Sequence, residues 1–215
     1  GALPIWNRGG ELSVRQEPCF PERLCKSPRE IEAIRHAMRR TEAALAAAVQ
    51  AIRESEVADG ILRWRGAVLT SEAVRRLISV RLLEDGLLAQ HTIVACGEDA
   101  CDPHNIGSGP LRAGETIILD VFPRDESSRY YADITRTVVK GTAPETVRRM
   151  YRAVADGQAV AFGGIRDGAD GAAIHQAVLD RLSREGFESG EIGGRMRGFF
   201  HGLGHGLGLE IHELP

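Results

Sequence analysis

Two strand-like segments that each carry an aspartate limit most strongly what this chain can fold into. Residues 115–122 (ETIILDVF) and 130–140 (YYADITRTVVK) have the composition of strands, and the polar run 124–129 between them is typical of a turn. The pattern predicts a β-hairpin. Asp120 follows three apolar residues near the end of the first strand, and Asp133 lies inside the returning strand. A carboxylate in such a place is costly unless it is paired, solvated or bound to a cation.

The two aspartates allow two interpretations. Strands that face each other can bring the carboxylates within a few ångströms, where they repel unless one holds a proton or a cation lies between them. Alternatively, one aspartate belongs to the turn and the other to a solvated face of the sheet. The hairpin alone leaves both interpretations open.

The segment 201–215, HGLGHGLGLEIHELP, combines three histidines with four alternating glycines. A core strand does not need that composition. In an extended chain His201 and His205 point to one face, and the glycines occupy the other, where backbone or substrate can approach closely. His212 has the opposite parity and joins them only after a bend. Imidazole is the commonest nitrogen ligand of divalent ions and also a proton carrier, so the cluster indicates a metal or catalytic site.

Helical patterns precede both segments. Ser27, Pro28 and Glu30 supply an N-cap, a preformed first turn and a capping-box partner, and they predict a helix that runs to about residue 54. Its apolar stripe consists of Ile31, Ile34, Met38, Leu45, Val49 and Ile52. A second helix is predicted from about Ser71 to a left-handed cap at Gly86.

The order of elements then repeats. A β segment at 91–96 precedes the hairpin, further helices are predicted at 144–162 and from an Asp170 cap to Gly186, and another β segment starts at about Phe199. Two successive units of helix, helix and strands predict an α+β fold. In this fold, two related halves pack their helices against one curved, mostly antiparallel sheet.

Charge and composition exclude several classes of partner. The net charge is -3 with acidic and basic residues interleaved, so no basic stripe recruits nucleic acid or an anionic membrane surface. No stretch approaches the roughly 20 apolar residues of a membrane helix, and residues 1–27 lack a signal-peptide pattern. A cytoplasmic protein with a small or peptide ligand is expected. Residues 1–26, with scattered proline and glycine, are interpreted as a linker or the end of a preceding domain.

The four cysteines, Cys19, Cys25, Cys96 and Cys101, match no zinc signature and are expected to be free thiols. A metal role for Cys96 and Cys101 beside His104 is the alternative. It is set aside because a structural zinc site usually has four ligands at tighter spacing.

Four motifs in order carry a family resemblance: PHN at 103–105, ILD at 118–120, YADITRT at 131–137 and HGLGHGLGLEIHELP. The chain from about residue 27 onward resembles the creatinase-like, "pita-bread" metallopeptidases, which include methionine aminopeptidase, prolidase and aminopeptidase P. The resemblance implies a pita-bread fold and two divalent ions, manganese before cobalt, zinc or iron. It also implies a domain at 27–215 whose C-terminal part is missing.

The resemblance assigns roles residue by residue. Asp120 matches the terminal carboxylate ligand, Asp133 the bridging ligand and His205 the imidazole ligand. His104 matches the histidine that flanks the substrate. His201 and His212 match the histidines that contact the substrate and steady the reacting groups. Thr135, Arg136 and Thr137 complete the motif, either supporting the carboxylates or serving the strand alone.

The spacing of His201 and His205, followed by His212, Glu213 and Pro215, looks like the proline-directed branch of the family. That branch implies cleavage of Xaa-Pro bonds in peptides with proline at the second position. Aminopeptidase P is the first expectation, ahead of prolidase and then methionine aminopeptidase, and relatives are often homodimers. A non-catalytic peptide-binding module is the competing class, but retention of both aspartates and His205 favours an enzyme.

Two departures from the family pattern affect these expectations. The usual aspartate, any residue, glycine start is here Asp120, Val121, Phe122, and the two aspartates are thirteen positions apart, two more than expected. An even insertion keeps the facing parity of the strands. The resemblance also places both glutamate ligands after Pro215, and Glu210 and Glu213 do not match them by position. The 215-residue chain alone is therefore expected to be inactive, with 199–215 an unpaired edge.

Overall fold

The first helix begins and ends where the sequence predicts. In the computed structural model, which describes residues 20–214 (Ile192 by its backbone only), α1 spans Pro28–Glu54. The Ser27 hydroxyl accepts from the Glu30 N–H, and the Glu30 carboxylate accepts from the Ser27 N–H at 2.8 Å. The predicted capping box is therefore present. A single 3-10 turn, Pro21–Arg23, precedes the helix, and the rest of the predicted linker, residues 1–19, lies outside the described residues.

The buried face of α1 differs from the predicted stripe. Ile31 is exposed, and Ile34, Met38 and Val49 are only partly buried. The buried residues are Ala37, Thr41, Ala44, Leu45, Ala48, Ala51 and Ile52. The prediction holds for Leu45 and Ile52, and Met38 and Val49 pack against the same core, but the stripe of large residues omitted the alanines that complete the buried face.

A small antiparallel meander, absent from the sequence-based prediction, connects α1 to the second helix. It consists of β1 (Glu56–Ala58), β2 (Ile61–Trp64) and β3 (Ala67–Val68). Both turns place two consecutive residues at positive φ, Asp59 with Gly60 and Arg65 with Gly66, which is typical of two-residue hairpin loops. The Asp59-Gly60 pair could have predicted the first of these turns from the sequence.

The second helix, α2 (Ser71–Glu84), and its cap agree with prediction, because Gly86 follows at φ 78°. Five strands come next: β4 (Leu87–Leu88), β5 (Ile93–Cys96), β6 (Thr116–Val121), β7 (Arg124–Asp125) and β8 (Ile134–Val139). Strands β5, β6 and β8 form an antiparallel sheet in that order. Ile117, Leu119 and Val121 of β6 are fully buried in the core beneath α1 and α2.

The predicted hairpin is present, and its tip has an additional partner. Strand β7 pairs with β4, and the buried Asp125 carboxylate accepts from the N–H groups of Ser127 and Ser128 at 2.9 and 2.7 Å. The tip also pairs with the returning segment through an isolated bridge between Arg124 and Tyr131, and the regular ladder resumes as β8 only at Ile134. Asp133 consequently lies just before the strand, and the prediction that it lies inside the strand was wrong.

Two further helices form a second, smaller core. Helix α3 (Glu145–Gly164) packs on α4 (Gly171–Arg184) through Ala153, Ala161, Val178 and Leu182. The Asp170 side chain caps α4 as predicted, accepting from the Ala172 N–H at 2.9 Å, and Gly186 has φ 84°. An additional hairpin, β9 (Gly190–Ile192) with β10 (Arg195–Arg197), follows.

The predicted strand from Phe199 is wrong. Residues 199–214 form bends, with one isolated bridge between Gly206 and Glu213. A strand needs a neighbour for its backbone N–H and C=O groups, and none pairs with this segment within residues 20–214.

The α+β class is confirmed: four helices pack with antiparallel strands throughout the described chain. Among residues 20–214, no helix is both long enough and apolar enough to cross a membrane. Cys25, Cys96 and Cys101 are free thiols, as predicted, and Cys19 lies outside the described residues.

Candidate metal centre

The strand register places both aspartates on one face of the hairpin. Asp120 pairs with Thr135 across β6 and β8. Asp133 precedes Thr135 by two residues, and side chains two apart along an extended chain share a face. The hairpin is two residues longer than the family pattern, but an even insertion keeps both aspartate side chains on the same face.

Both carboxyl groups have raised pKa values. Burial is the main cause for Asp120, and it outweighs the hydrogen bond from the Thr135 hydroxyl at 2.5 Å and the charges of His205 and His212. Burial also raises the pKa of Asp133, and the charge of Asp120 raises it further. Two half-buried carboxylates thus face each other without enough compensating charge, which is the situation that a bound cation relieves.

An imidazole completes this group. His205 Nε2 lies 3.4 Å from Asp133 Oδ2, and His205 Nδ1 lies 2.9 Å from the carbonyl oxygen of Gly206. When Nδ1 donates its proton to that carbonyl, the neutral ring keeps its lone pair on Nε2, which faces the carboxylate. This is the tautomer that binds a metal ion, with the hydrogen bond fixing the ring.

His212 also lies near the two aspartates and His205. In an extended chain it would point to the opposite face from His205, and a bend between the two residues brings it round. The backbones of Gly206 and Glu213 pair, with N···O distances of 2.8 and 2.9 Å. The chain therefore turns back on itself, and the rings of His205 and His212 meet edge to face with centroids 4.4 Å apart. Both rings act electrostatically on both aspartates.

The other two predicted histidines lie apart from this group. His201 is exposed, its Nδ1 lies 2.9 Å from the carbonyl oxygen of Gly202, and its ring packs on Phe199. His104 is exposed in the loop after β5, where its backbone N–H donates to Asp102. Within residues 20–214 neither side chain forms a hydrogen bond or ion pair with the two aspartates.

The donor set fits a divalent transition ion in its chemistry but is incomplete in number. Two carboxylates and an imidazole suit manganese, cobalt, zinc or iron. As the side chains of residues 20–214 stand, no group of three or more His, Cys, Asp or Glu residues is arranged to hold an ion. Glu213 is bound by Arg23 and Lys26 instead, and Glu210 is exposed.

Sequence reasoning missed those two cations. Arg23 and Lys26 are far from Glu213 along the chain and belong to no pattern that includes it, so no local signal pointed to the pairing. The hydrogen bond from the Tyr130 hydroxyl to Glu30, 2.6 Å long, was missed for the same reason.

Two carboxylates on an antiparallel hairpin, with an imidazole from the later bend beside them, have the chemistry of a metal-binding site. Residues 32–215 match Peptidase_M24, metallopeptidase family M24, and the chain belongs to that family. It is 35% identical over 135 residues to Xaa-Pro aminopeptidase 1 of Streptomyces coelicolor, covering 57% of this chain and 27% of that protein. It is 31% identical over 194 residues to an Xaa-Pro dipeptidase of Pyrococcus furiosus, covering 90% of this chain and 50% of that protein.

The solved structure of the prolidase from Pyrococcus furiosus superposes with a TM-score of 0.75 at 27% identity, covering 90% of this chain and 52% of that one. The pita-bread fold is thereby confirmed. The chain spans half or less of the length of these two curated relatives.

The contact between Thr135 and Asp120 gives a first testable prediction. Thr135→Val keeps the side-chain shape and removes the hydroxyl that holds the Asp120 carboxylate, so we expect manganese affinity to fall about tenfold. Calorimetric titration of the natural protein at its full length measures this. Thr137→Val is the matched control, since Thr137 is on the same face of β8 and makes no side-chain hydrogen bond within residues 20–214. Equal affinities in the two variants would contradict a supporting role for Thr135.

Proposed function

We propose that this protein hydrolyses Xaa-Pro bonds at the N terminus of peptides, releasing the first residue. Asp120, Asp133 and His205 would be among the ligands of two divalent ions, manganese first among the candidates. The observation that carries the proposal is the convergence of the Asp133 carboxylate with Asp120 and, at 3.4 Å, with His205 Nε2. Membership of a metallopeptidase family whose matched relatives act on Xaa-Pro substrates supports it.

The bound ions would polarise the scissile carbonyl and lower the pKa of the attacking water. The chain's own residues have separate tasks. Thr135 holds Asp120 in place, and the Gly206 carbonyl orients the His205 ring. His212, whose ring contacts that of His205, would donate a proton to the leaving proline nitrogen, which belongs to a tertiary amide that needs protonation to depart. His104 and His201 are proposed substrate contacts, and both are exposed to solvent as that role requires.

A prolidase-type dipeptidase is the second candidate. The match to the Pyrococcus furiosus Xaa-Pro dipeptidase extends over 90% of this chain, against 57% for the Streptomyces aminopeptidase. The wider coverage of the dipeptidase match favours a dipeptide substrate, whereas the higher identity of the aminopeptidase match favours longer peptides. A non-catalytic module on the same fold would bind the peptide without turnover.

We further propose that residues 27–215 belong to the metallopeptidase domain and that 1–26 are a linker or the end of a preceding domain. The partner is a peptide with proline at the second position, and the oligomer is a homodimer. A cytoplasmic location is consistent with free thiols at Cys25, Cys96 and Cys101, since reducing compartments keep cysteines unpaired.

Three peptides decide between these functions. The natural protein, at full length and supplied with manganese or cobalt, is incubated with an Xaa-Pro-Xaa tripeptide, an Xaa-Pro dipeptide and an Xaa-Ala-Xaa control, and the products are separated by chromatography. We expect release of the first residue from the proline tripeptide, no cleavage of the control, and complete loss of activity in a chelator. Cleavage of the dipeptide alone would identify a prolidase. Binding without cleavage across several metals would contradict an enzyme.

A further inference from the structure

Glu213 sits in an unusual electrostatic position for a residue in a bend near the chain surface. Its side chain is 7% exposed, and its carboxylate accepts from Arg23 Nη2, from Lys26 Nζ at 2.8 Å and from the Glu210 N–H at 3.2 Å. Burial alone would raise its pKa, but the hydrogen bonds from Lys26 and Arg23 prevail and lower the pKa to about 2. One buried carboxylate is therefore held by two cations and a backbone donor.

The neighbouring glycines make room for this arrangement. A Cβ on Gly208 would lie 2.6 Å from the Glu213 carboxylate, and a Cβ on Gly206 would lie 2.3 Å from the Leu214 carbonyl oxygen. Gly202 and Gly204, by contrast, have nothing within 4 Å of such a Cβ. The two later glycines of the repeat thus serve close approach by the chain's own segment 213–214, and only the two earlier ones face open space.

The position of Glu213 determines the position of two candidate site residues. His205 directly precedes Gly206, and His212 directly precedes Glu213. The Gly206–Glu213 backbone pair therefore sets the two rings edge to face beside Asp133. A movement of Glu213 would move His212 with it and would loosen the backbone pair that holds His205.

The cations themselves are anchored. Lys26 Nζ also donates to the Arg23 carbonyl at 2.6 Å, and Lys26 directly precedes the capped start of α1. On the other side, the Tyr131 N–H donates to the Gly208 carbonyl at 2.9 Å, which ties the same bend to the hairpin. The bend is thus held from both sides.

We propose that Arg23, Lys26 and Glu213 form a positioning cluster that holds His212 and His205 against the aspartate pair. None of the three is a catalytic residue; they act through the bend. The effect on turnover rests on the proposed function, whereas the effect on the bend does not.

Hydrogen exchange of the natural protein tests, without substrate, whether the cluster holds the bend in place. Glu213→Gln keeps the size and removes the charge that binds both cations. We expect exchange of the amides in 203–214 to become about tenfold faster or more, since hydrogen bonds to charged groups are among the stronger ones. The nuclear Overhauser contact between the His205 and His212 rings should also be lost.

Glu32→Gln is the matched control. Glu32 is likewise one carboxylate bound by two cations, Arg35 and Arg39, but it lies on the exposed face of α1. Its replacement should leave both readouts unchanged. Faster exchange throughout α4 as well as 203–214 in Glu213→Gln would indicate general destabilisation and would overturn the proposal, as would unchanged exchange or a persisting ring contact.

Kinetics with an Xaa-Pro-Xaa peptide test the functional half. Lys26→Met should lower kcat by about ten- to a hundredfold with little change in KM. Lys26→Arg, which keeps the cation, should recover most of the loss, whereas Glu32→Gln should behave as wild type. Equal kcat values for Lys26→Met and Lys26→Arg would overturn a positioning role. If no variant and no wild-type protein cleaves the peptide, the proposed function fails, and the exchange result still decides the cluster's role.

Discussion

Replacing Asp133 with asparagine is expected to lower the turnover of Xaa-Pro peptides more than about a hundredfold while leaving the metal-free fold intact. Loss of a group that merely supports a ligand costs about ten- to a hundredfold, and the loss of Asp133 should cost more because in the proposed site it would be a ligand of both ions. Asparagine keeps the shape of the side chain. The variant should therefore fold normally, bind metal poorly and turn over little substrate.

The raised pKa of Asp133 gives this prediction a second, independent part. A carboxyl group whose pKa is higher in the folded than in the unfolded protein binds its proton more tightly when folded. It therefore destabilises the metal-free fold as pH rises from about 3.9, the ordinary aspartate value, through the raised native value. A neutral asparagine has no proton to release, so the variant does not lose this stability as pH rises. Above this range, metal-free Asp133→Asn should melt at or above the wild-type temperature, and the difference should disappear in acid.

Asp125→Asn in the same hairpin is the control with the opposite sign. Burial alone would raise the pKa of Asp125, but hydrogen bonds from Ser128 and Ser127 prevail and lower it. Its ionised form therefore stabilises the fold at neutral pH, and that stabilisation is lost as pH falls through the lowered value. Thermal melts of the metal-free proteins between pH 3 and 7 compare the two variants. A large loss of melting temperature in Asp133→Asn near pH 7 would identify Asp133 as a structural residue.

A polypeptide consisting of residues 1–215 is expected to bind at most one divalent ion weakly and to show no turnover. A divalent ion that prefers oxygen takes about six ligands, so two carboxylates and one imidazole provide too few donors for two ions. Glu213 cannot add to them without leaving Arg23 and Lys26, whose hydrogen bonds also keep the pKa of its carboxyl group low.

Calorimetric manganese titration of this 215-residue polypeptide, followed by a tripeptide assay, is the measurement. The Xaa-Pro dipeptidase of Pyrococcus furiosus serves as the positive control under the same conditions, with an Xaa-Pro dipeptide as its substrate. Tight binding of two ions with turnover by residues 1–215 would mean that another residue completes the site. The assignment of Asp120, Asp133 and His205 as the ligands present in this chain would then be mistaken.

The local features of the fold could be predicted from the sequence because their causes are local. The Ser27 and Glu30 capping box, the Asp170 cap and the left-handed glycines depend only on neighbouring residues, and all are present in the structure. The shared face of Asp120 and Asp133 follows from the two-residue period of a strand, which survives an even insertion. The need for a bend before His212 followed from the same period.

Contacts between distant segments decided the rest. The pairing of β7 with β4 joins the hairpin tip to a strand distant in sequence, and the alanines of α1 are buried because neighbouring elements pack against them. The segment after Phe199 forms bends because no strand pairs with it within residues 20–214. Glu213 is the clearest case. Nothing near it in the sequence points to its partners, but the fold brings Arg23 and Lys26 to its carboxylate, and two cations at hydrogen-bonding distance determine what that carboxylate can do.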